Sequence, residues 1–105
     1  MSRVRAVRLS VYLGNADLHR HRALSGEILH RAHRAGLSGA SSLQGILGYG
    51  RSAAIHTTPR WGFTDRTPIT VHIVDTPEKI QEFLPQLRDL AEDCLIVRDE
   101  VELLG

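Results

Sequence analysis

Cysteine is nearly absent from this 105-residue chain: Cys94 stands alone. A single thiol supports no intramolecular disulfide and no cysteine-rich metal site, which suits a reducing cytoplasm. Flanked by Leu90, Ala91, Leu95 and Ile96, it reads as a small core hydrophobe. Long apolar runs are missing too. Nothing approaches the ~18 residues of a spanning helix, so no membrane insertion is expected. The opening MSRVRAVRLS is basic, but no long apolar region follows, and it is not read as a signal peptide. Net charge is only +1, which by itself points to neither a nucleic acid nor an anionic membrane surface. Catalytic motifs are also lacking. There is no serine in a nucleophile elbow, no H-E-x-x-H and no G-x-x-x-x-G-K-[ST]. With no nucleophile or paired carboxylates converging in sequence, a non-enzymatic role is expected.

What is present is a clear alternation of periods. Val7, Leu9, Val11 and Leu13 alternate with Arg8, Ser10 and Tyr12, the pattern of a half-buried strand that ends at Gly14-Asn15. Residues 16–36 change to helical spacing, with Leu24, Ile28, Leu29, Ala32 and Ala35 on one face and Gly36 as a left-handed C′ residue. A glycine-interrupted strand follows over residues 38–49, with Leu43, Leu47 and Tyr49 on one parity and Ser42, Gln44 and Ile46 on the other. From Arg51 to Thr67 no periodicity survives, which predicts a long loop. Ile69, Val71 and Ile73 form a third strand, and Asp75-Thr76-Pro77 supplies a helix start. The second helix carries Ile80, Phe83, Leu84, Leu87, Leu90 and Ala91 on one face. Pro85 inside it should kink or restart it. A short fourth strand alternates Val101 and Leu103 with Glu100 and Glu102.

This β-α-β-β-α-β order predicts a single α+β domain over residues 1–105. It would be a ferredoxin-like sandwich, a four-stranded antiparallel sheet with two helices on one face. Tyr12, Ile46 and Val74 would lie on the other face, and so apolar a surface on so small a domain suggests packing between subunits. The basic residues gather in the first half and the acids after Asp75. That asymmetry either decorates two helices or pairs one subunit with another.

Of the six histidines, His19 and His21 sit near the helix start and read as solvated. His30 and His33 are spaced to share a helical face, but Arg31 and Arg34 beside them repel a cation. His72 alternates with core residues and reads as a satisfied sheet or interface histidine. His56, before Thr57 and Thr58, suits either an anionic ligand or a loop pin. The stretch GILGYG, followed by Arg51, would expose backbone amides at a strand-to-loop junction where a phosphate could approach. RNA-recognition domains share this element order and stack bases on sheet aromatics. Here the first strand offers only Tyr12 and the third none, so no nucleic-acid partner is expected.

The run GLSGASSLQGILGYG, then IHT, a Pro-led strand ending in VDTPEKI, and FLPQL together resemble the domain of unknown function 190 family, whose members are PII-like proteins. The resemblance spans about Leu9 to Leu103. It implies a ferredoxin-like fold, a homotrimer with sheets lining a central core, and a switch loop at about 51–67. It also implies a small effector, commonly an adenine nucleotide, bound between subunits at the base of that loop. The loop would then dock on, or leave, a membrane transporter or other target protein. On this reading Gln44, Gly48, Tyr49, Gly50, Arg51 and His56 are the cleft residues. Two positions depart from the family pattern: Ser42 replaces an apolar residue and Gln44 an arginine. The connection DCLIVRDE at 93–100 also lacks the glycines and lysine of the corresponding loop in classical PII proteins, leaving Arg98 as its cation. A divalent-metal-binding trimer using His30, His33 or histidines that meet across an interface, and a partner-binding subunit with no small ligand, are the competing expectations.

Overall fold

The structure, a computed structural model, describes residues 3–14, 17–49, 56–57 and 67–105, with the backbone alone at 56–57. The elements in chain order are β1 (Val4–Gly14), β2 (Leu18–His19), β3 (Arg22–Ala23), α1 (Leu24–Arg34), β4 (Gly39–Gln44), β5 (Leu47–Gly48), β6 (His56–Thr57), β7 (Pro68–Asp75), α2 (Pro77–Leu90) and β8 (Leu95–Leu103). The main sheet runs β4-β7-β1-β8, and every neighbouring pair is antiparallel. Each helix therefore connects two strands that are not neighbours, which is the split β-α-β arrangement expected from the sequence.

Period two decides which side of the sheet is core. Leu9, Val11, Val71 and Ile73 point to the helices and are essentially inaccessible. They meet Ile28 and Ala32 of α1 and Ile80, Phe83 and Leu87 of α2 in one cluster. Burying each of the large apolar chains contributes roughly 1.5–3 kcal/mol. Helix α1 ends as expected. Gly36 adopts φ 75°, Leu37 N donates to Ala32 O at 3.2 Å and Gly36 N to His33 O at 3.1 Å, the paired bonds of a Schellman stop. Thr76 caps α2, its Oγ1 accepting from Lys79 N at 3.4 Å, and Pro77 opens the first turn. Asp75 does something else. Buried at 5% exposure, it accepts from Ser38 N at 2.9 Å and Thr76 N at 2.6 Å, tying the end of β7 to the entry of β4.

Four expectations are corrected. The first half of segment 16–36 is not helix: β2 and β3 form a two-residue hairpin whose turn residues Arg20 and His21 have φ 49° and 69°. Two successive left-handed residues are what a type I′ turn requires. The apolar helical spacing begins only at Leu24, whose N donates to Asp17 O at 2.9 Å in place of a side-chain cap. Pro85 does not restart the second helix, which runs through it with Pro85 on the exposed side. The last strand is longer than expected and begins at Leu95. The stretch expected to be wholly loop also contains β6, paired with β5 in the register Leu47↔Thr57 and Gly48↔His56.

The sheet face away from the helices is open. Across it, Leu43, Leu95 and Val97 are 48%, 38% and 40% exposed, with Tyr12 and Val74 half-buried among them. Ile46, expected on this face, lies beyond the end of β4 at 82% exposure. In the middle of the face Ser10 Oγ and His72 Nδ1 are hydrogen-bonded at 3.1 Å, directly across β1 and β7. The charged pair on the face is closed on itself: Arg8 donates to both carboxylate oxygens of Asp99, at 3.3 and 2.8 Å. Among the described residues no helix is long and apolar enough to cross a membrane.

Candidate functional site

At the end of the sheet where β1 stops and β7 starts, the chain encloses a cleft of about 560 Å³. Its position follows from two local devices. Asp17 folds back on the end of β1: Gly14 N donates to Asp17 Oδ2 at 2.7 Å, and Asp17 N donates to Gly14 O at 3.1 Å. This sends Leu18 and His19 over the cleft. On the opposite side, Gly45 N donates to Pro68 O at 2.8 Å, and the chain bends out of β4 there before pairing again in β5. That bend brings Leu47, Gly48 and Tyr49 to the cleft wall. The third wall is the C-terminal end of α2 and the turn after it, from Asp89 to Cys94.

The lining has two characters. Tyr12, Leu18, Leu47, Tyr49, Pro68 and Leu90 supply apolar and aromatic surface, and Tyr49 is 70% exposed. A flat heterocycle suits such a slot, since each ring offers a face to stack on. The charges are of one sign: Asp17, Asp89, Glu92 and Asp93 line the cleft, and no Lys or Arg does so among the described residues. His19 is the basic group present, and its Nε2 is buried without a hydrogen-bond partner among those residues. Cys94 is a poor nucleophile. Burial pushes its thiol up to about 11, and the nearby Asp17 and Asp93 carboxylates add to the rise.

Of the residues expected in the site, the structure places Gly48 and Tyr49 on the cleft wall. Gln44 ends the edge strand β4 opposite Ile69 and is exposed beside the cleft, not in it. The backbone of His56 pairs with Gly48, immediately behind that wall. Gly50 and Arg51 lie outside the described residues, as does most of the expected loop. Arg98 does not line this cleft. It stands in β8 opposite Leu9, because the alternation of Leu95, Val97, Val101 and Leu103 continues the strand through the stretch taken for a loop. Sequence reasoning missed Tyr12, Asp17, Leu18 and the acids after Leu87. The turn at Gly14 and the acid-rich end of the second helix were visible, but nothing in one dimension shows that they meet.

Known proteins resemble this chain in sequence or in fold. A "UPF0166 protein" of Aquifex aeolicus (strain VF5) is 32% identical over 77 residues, 73% of this chain and 72% of the relative. A second from the same organism is 26% identical over 77 residues, covering 73% and 80%. Among solved structures, a PII-like signaling protein from Thermus thermophilus superposes with a TM-score of 0.72 at 13% identity, covering 99% of this chain and 94% of that one. A nitrogen regulatory PII-like protein from Thiomonas intermedia, bound to ADP, AMP and bicarbonate, superposes with a TM-score of 0.68 at 16% identity, covering 97% and 91%. At such identities the likeness is one of fold, and the fold is PII-like. By the family model that matches residues 6–103, the chain belongs to the domain of unknown function 190 family, "Uncharacterized ACR, COG1993".

Proposed function

We propose that this protein is a PII-like regulator, a homotrimer acting in the cytoplasm. It takes an adenine nucleotide in the cleft at the end of its sheet and reports the binding to a target protein, a membrane transporter or another. The observation that carries this reading is the pairing of Gly48 with His56. Gly48 lines the cleft, and the strand pair it belongs to closes the stem of residues 49–55. A ligand against Tyr49 therefore bears on the root of the segment that the family resemblance marks as the switch. Ordering of residues 51–67 by ligand is the proposed signal, driven by differential affinity for the two states of that segment.

Support for the nucleotide comes from the apolar and aromatic part of the lining, Tyr12 and Tyr49 included, and from the ADP and AMP bound to the Thiomonas neighbour. The slot suits the base. The four carboxylates oppose the phosphates. Neutralisation then has to come from Arg51, from a neighbouring copy, or from a divalent ion carried in with the nucleotide. Binding rather than catalysis is favoured because the thiol in the cleft is held protonated. A metal site on His30 and His33 has less support. Both are exposed on α1, and no group of three or more His, Cys, Asp or Glu gathers to hold a metal among the described residues.

The test is a thermal-shift panel of AMP, cyclic AMP, ADP and ATP, each with and without magnesium, since a ligand of the folded form raises the melting point by mass action. The reading expects a shift that Tyr49→Ala removes, together with altered tryptic cleavage at Arg51, Arg60 or Arg66. Cleavage indifferent to every nucleotide that binds would sink the switch.

A further inference from the structure

The two helix segments differ in net charge: residues 17–36 hold Arg20, Arg22, Arg31 and Arg34 against Asp17 and Glu27, and residues 77–93 hold Glu78, Glu82, Asp89, Glu92 and Asp93 against Lys79 and Arg88. On α2, Glu78, Glu82 and Asp89 recur four and seven residues apart, which places them on one exposed ridge. Glu92 and Asp93 extend the ridge past the helix end, and all five carboxylates are exposed. None of the five makes an ion pair among the described residues, where the salt bridges are Arg5–Glu100, Arg8–Asp99, Arg31–Glu27 and Arg34–Glu27. On α1 the outward ridge is His30, His33 and Arg34, all exposed, and the strained turn before it presents Arg20 and Arg22. Arg20 and Arg22 likewise have no ion-pair partner among the described residues. The acid on α1, Glu27, is already engaged: it accepts from Arg31 at 3.0 Å and lies 3.7 Å from Arg34. Its carboxyl is held below the usual range by the hydrogen bond from Arg31.

A basic ridge beside an acidic ridge is self-complementary under a two-fold rotation about an axis along the seam between the helices. That operation lays α1 of one copy over α2 of the other, and the reverse, so the two ridges are matched at once. We infer that the helix layer is a second self-association surface, distinct from the open sheet face, and that its occupant is a second copy of this chain. If the sheet faces join copies, as the family resemblance implies, the helix layers remain outward and would link those assemblies in pairs. The pairing itself does not depend on the nucleotide or on the sheet-face contact. Exposed ion pairs contribute little each, so the contact is weak. It is also steeply salt-dependent, because the Debye length falls from ~30 Å at 0.01 M to ~3 Å at 1 M.

Sedimentation velocity of the full chain over a concentration series, in roughly 0.01 M and 0.5 M salt, tests this directly. The expected result is a larger species at low salt, with an apparent association constant at least about tenfold above its high-salt value. The sheet-face assembly should persist at both. Arg34→Glu or Glu82→Arg alone should abolish the low-salt species, and the two together should restore it, because the reversed charges meet across the two-fold. Ridges that are merely solvated predict a salt-independent mass, or a low-salt species untouched by either reversal. Either result overturns the inference, as does failure of the double variant to restore what each single variant removes.

Discussion

Gly45 and Pro68 lie back to back where the chain leaves the edge of the sheet. Gly45 N donates to Pro68 O at 2.8 Å, and a Cβ at position 45 would stand 3.1 Å from Pro68 Cγ. A Cβ there is tighter than ordinary packing and needs the ring of Pro68, which forms part of the cleft wall, to give by a few tenths of an ångström. Gly45→Ala should therefore cost about 1 kcal/mol or more through overpacking and weaken ligand binding as Pro68 shifts. At Gly48 the nearest contact would be an ordinary 3.5 Å. Gly48→Ala should be neutral, or slightly stabilising through the unfolded chain. Urea denaturation of both variants checks the contrast, and equal losses would contradict this account of the bend.

Asp75 is a structural acid. Removing its carboxylate leaves the amides of Ser38 and Thr76 without their acceptors at the junction of β4, β7 and α2. Asp75→Ala should cost about 2–3 kcal/mol, since an unsatisfied buried donor costs roughly 1–3 kcal/mol. Asp75→Asn keeps one acceptor oxygen and should lose less. Equilibrium unfolding that ranks Asn below Ala would show that the two bonds are not what matters.

Cys94 sets an alkaline limit on stability. Its thiol is raised from 9.0 to about 11 in the fold, chiefly by burial. Below pH 9 it is protonated in both states and contributes nothing to the pH dependence. Between 9 and 11 the unfolded chain ionises first, so stability falls as the pH rises through that window. The full loss is roughly 2–3 kcal/mol for a shift of this size. Cys94→Ala should flatten this part of the stability profile, whatever it does to the absolute value. Rapid maleimide labelling of the native protein at pH 8 would contradict the assignment.

The element order was legible because the buried faces keep clean periods: β7 alternates Ile69, Val71 and Ile73, and α2 repeats Ile80, Phe83 and Leu87. The hairpin at 18–23 was not, because Arg20 and His21 occupy left-handed positions where Gly or Asn would have signalled a turn. The faces of β4 were read the wrong way round. Ile46, sharing parity with Ser42 and Gln44, was set on the open face, where Leu43 stands instead, opposite Thr70, and Ile46 itself lies past the strand end. Part of one cleft wall was readable, in Gly48 and Tyr49, because it follows a local glycine signal. Its acids come from a turn after β1 and from the end of α2, and only tertiary packing brings them together.

The open face offers a separate test of assembly. Val97, 40% exposed, stands on this face in the edge strand β8, opposite Ser10. Val97→Asp would bury an unpaired charge in any contact made there, at a cost of several kcal/mol. Light scattering should then report a monomer that keeps its circular dichroism. An unchanged assembly would remove the sheet face from the interface.

The cleft itself is best tested by calorimetric titration of ADP into the protein, with and without magnesium, beside Tyr49→Ala and the Asp89→Asn/Glu92→Gln/Asp93→Asn variant. The account predicts saturable binding that magnesium strengthens and Tyr49→Ala abolishes. Neutralising the three carboxylates should raise affinity for free ADP several-fold and shrink the magnesium effect. Absence of binding under every condition, or binding untouched by either variant, would contradict the claim that this cleft is where the protein senses a nucleotide.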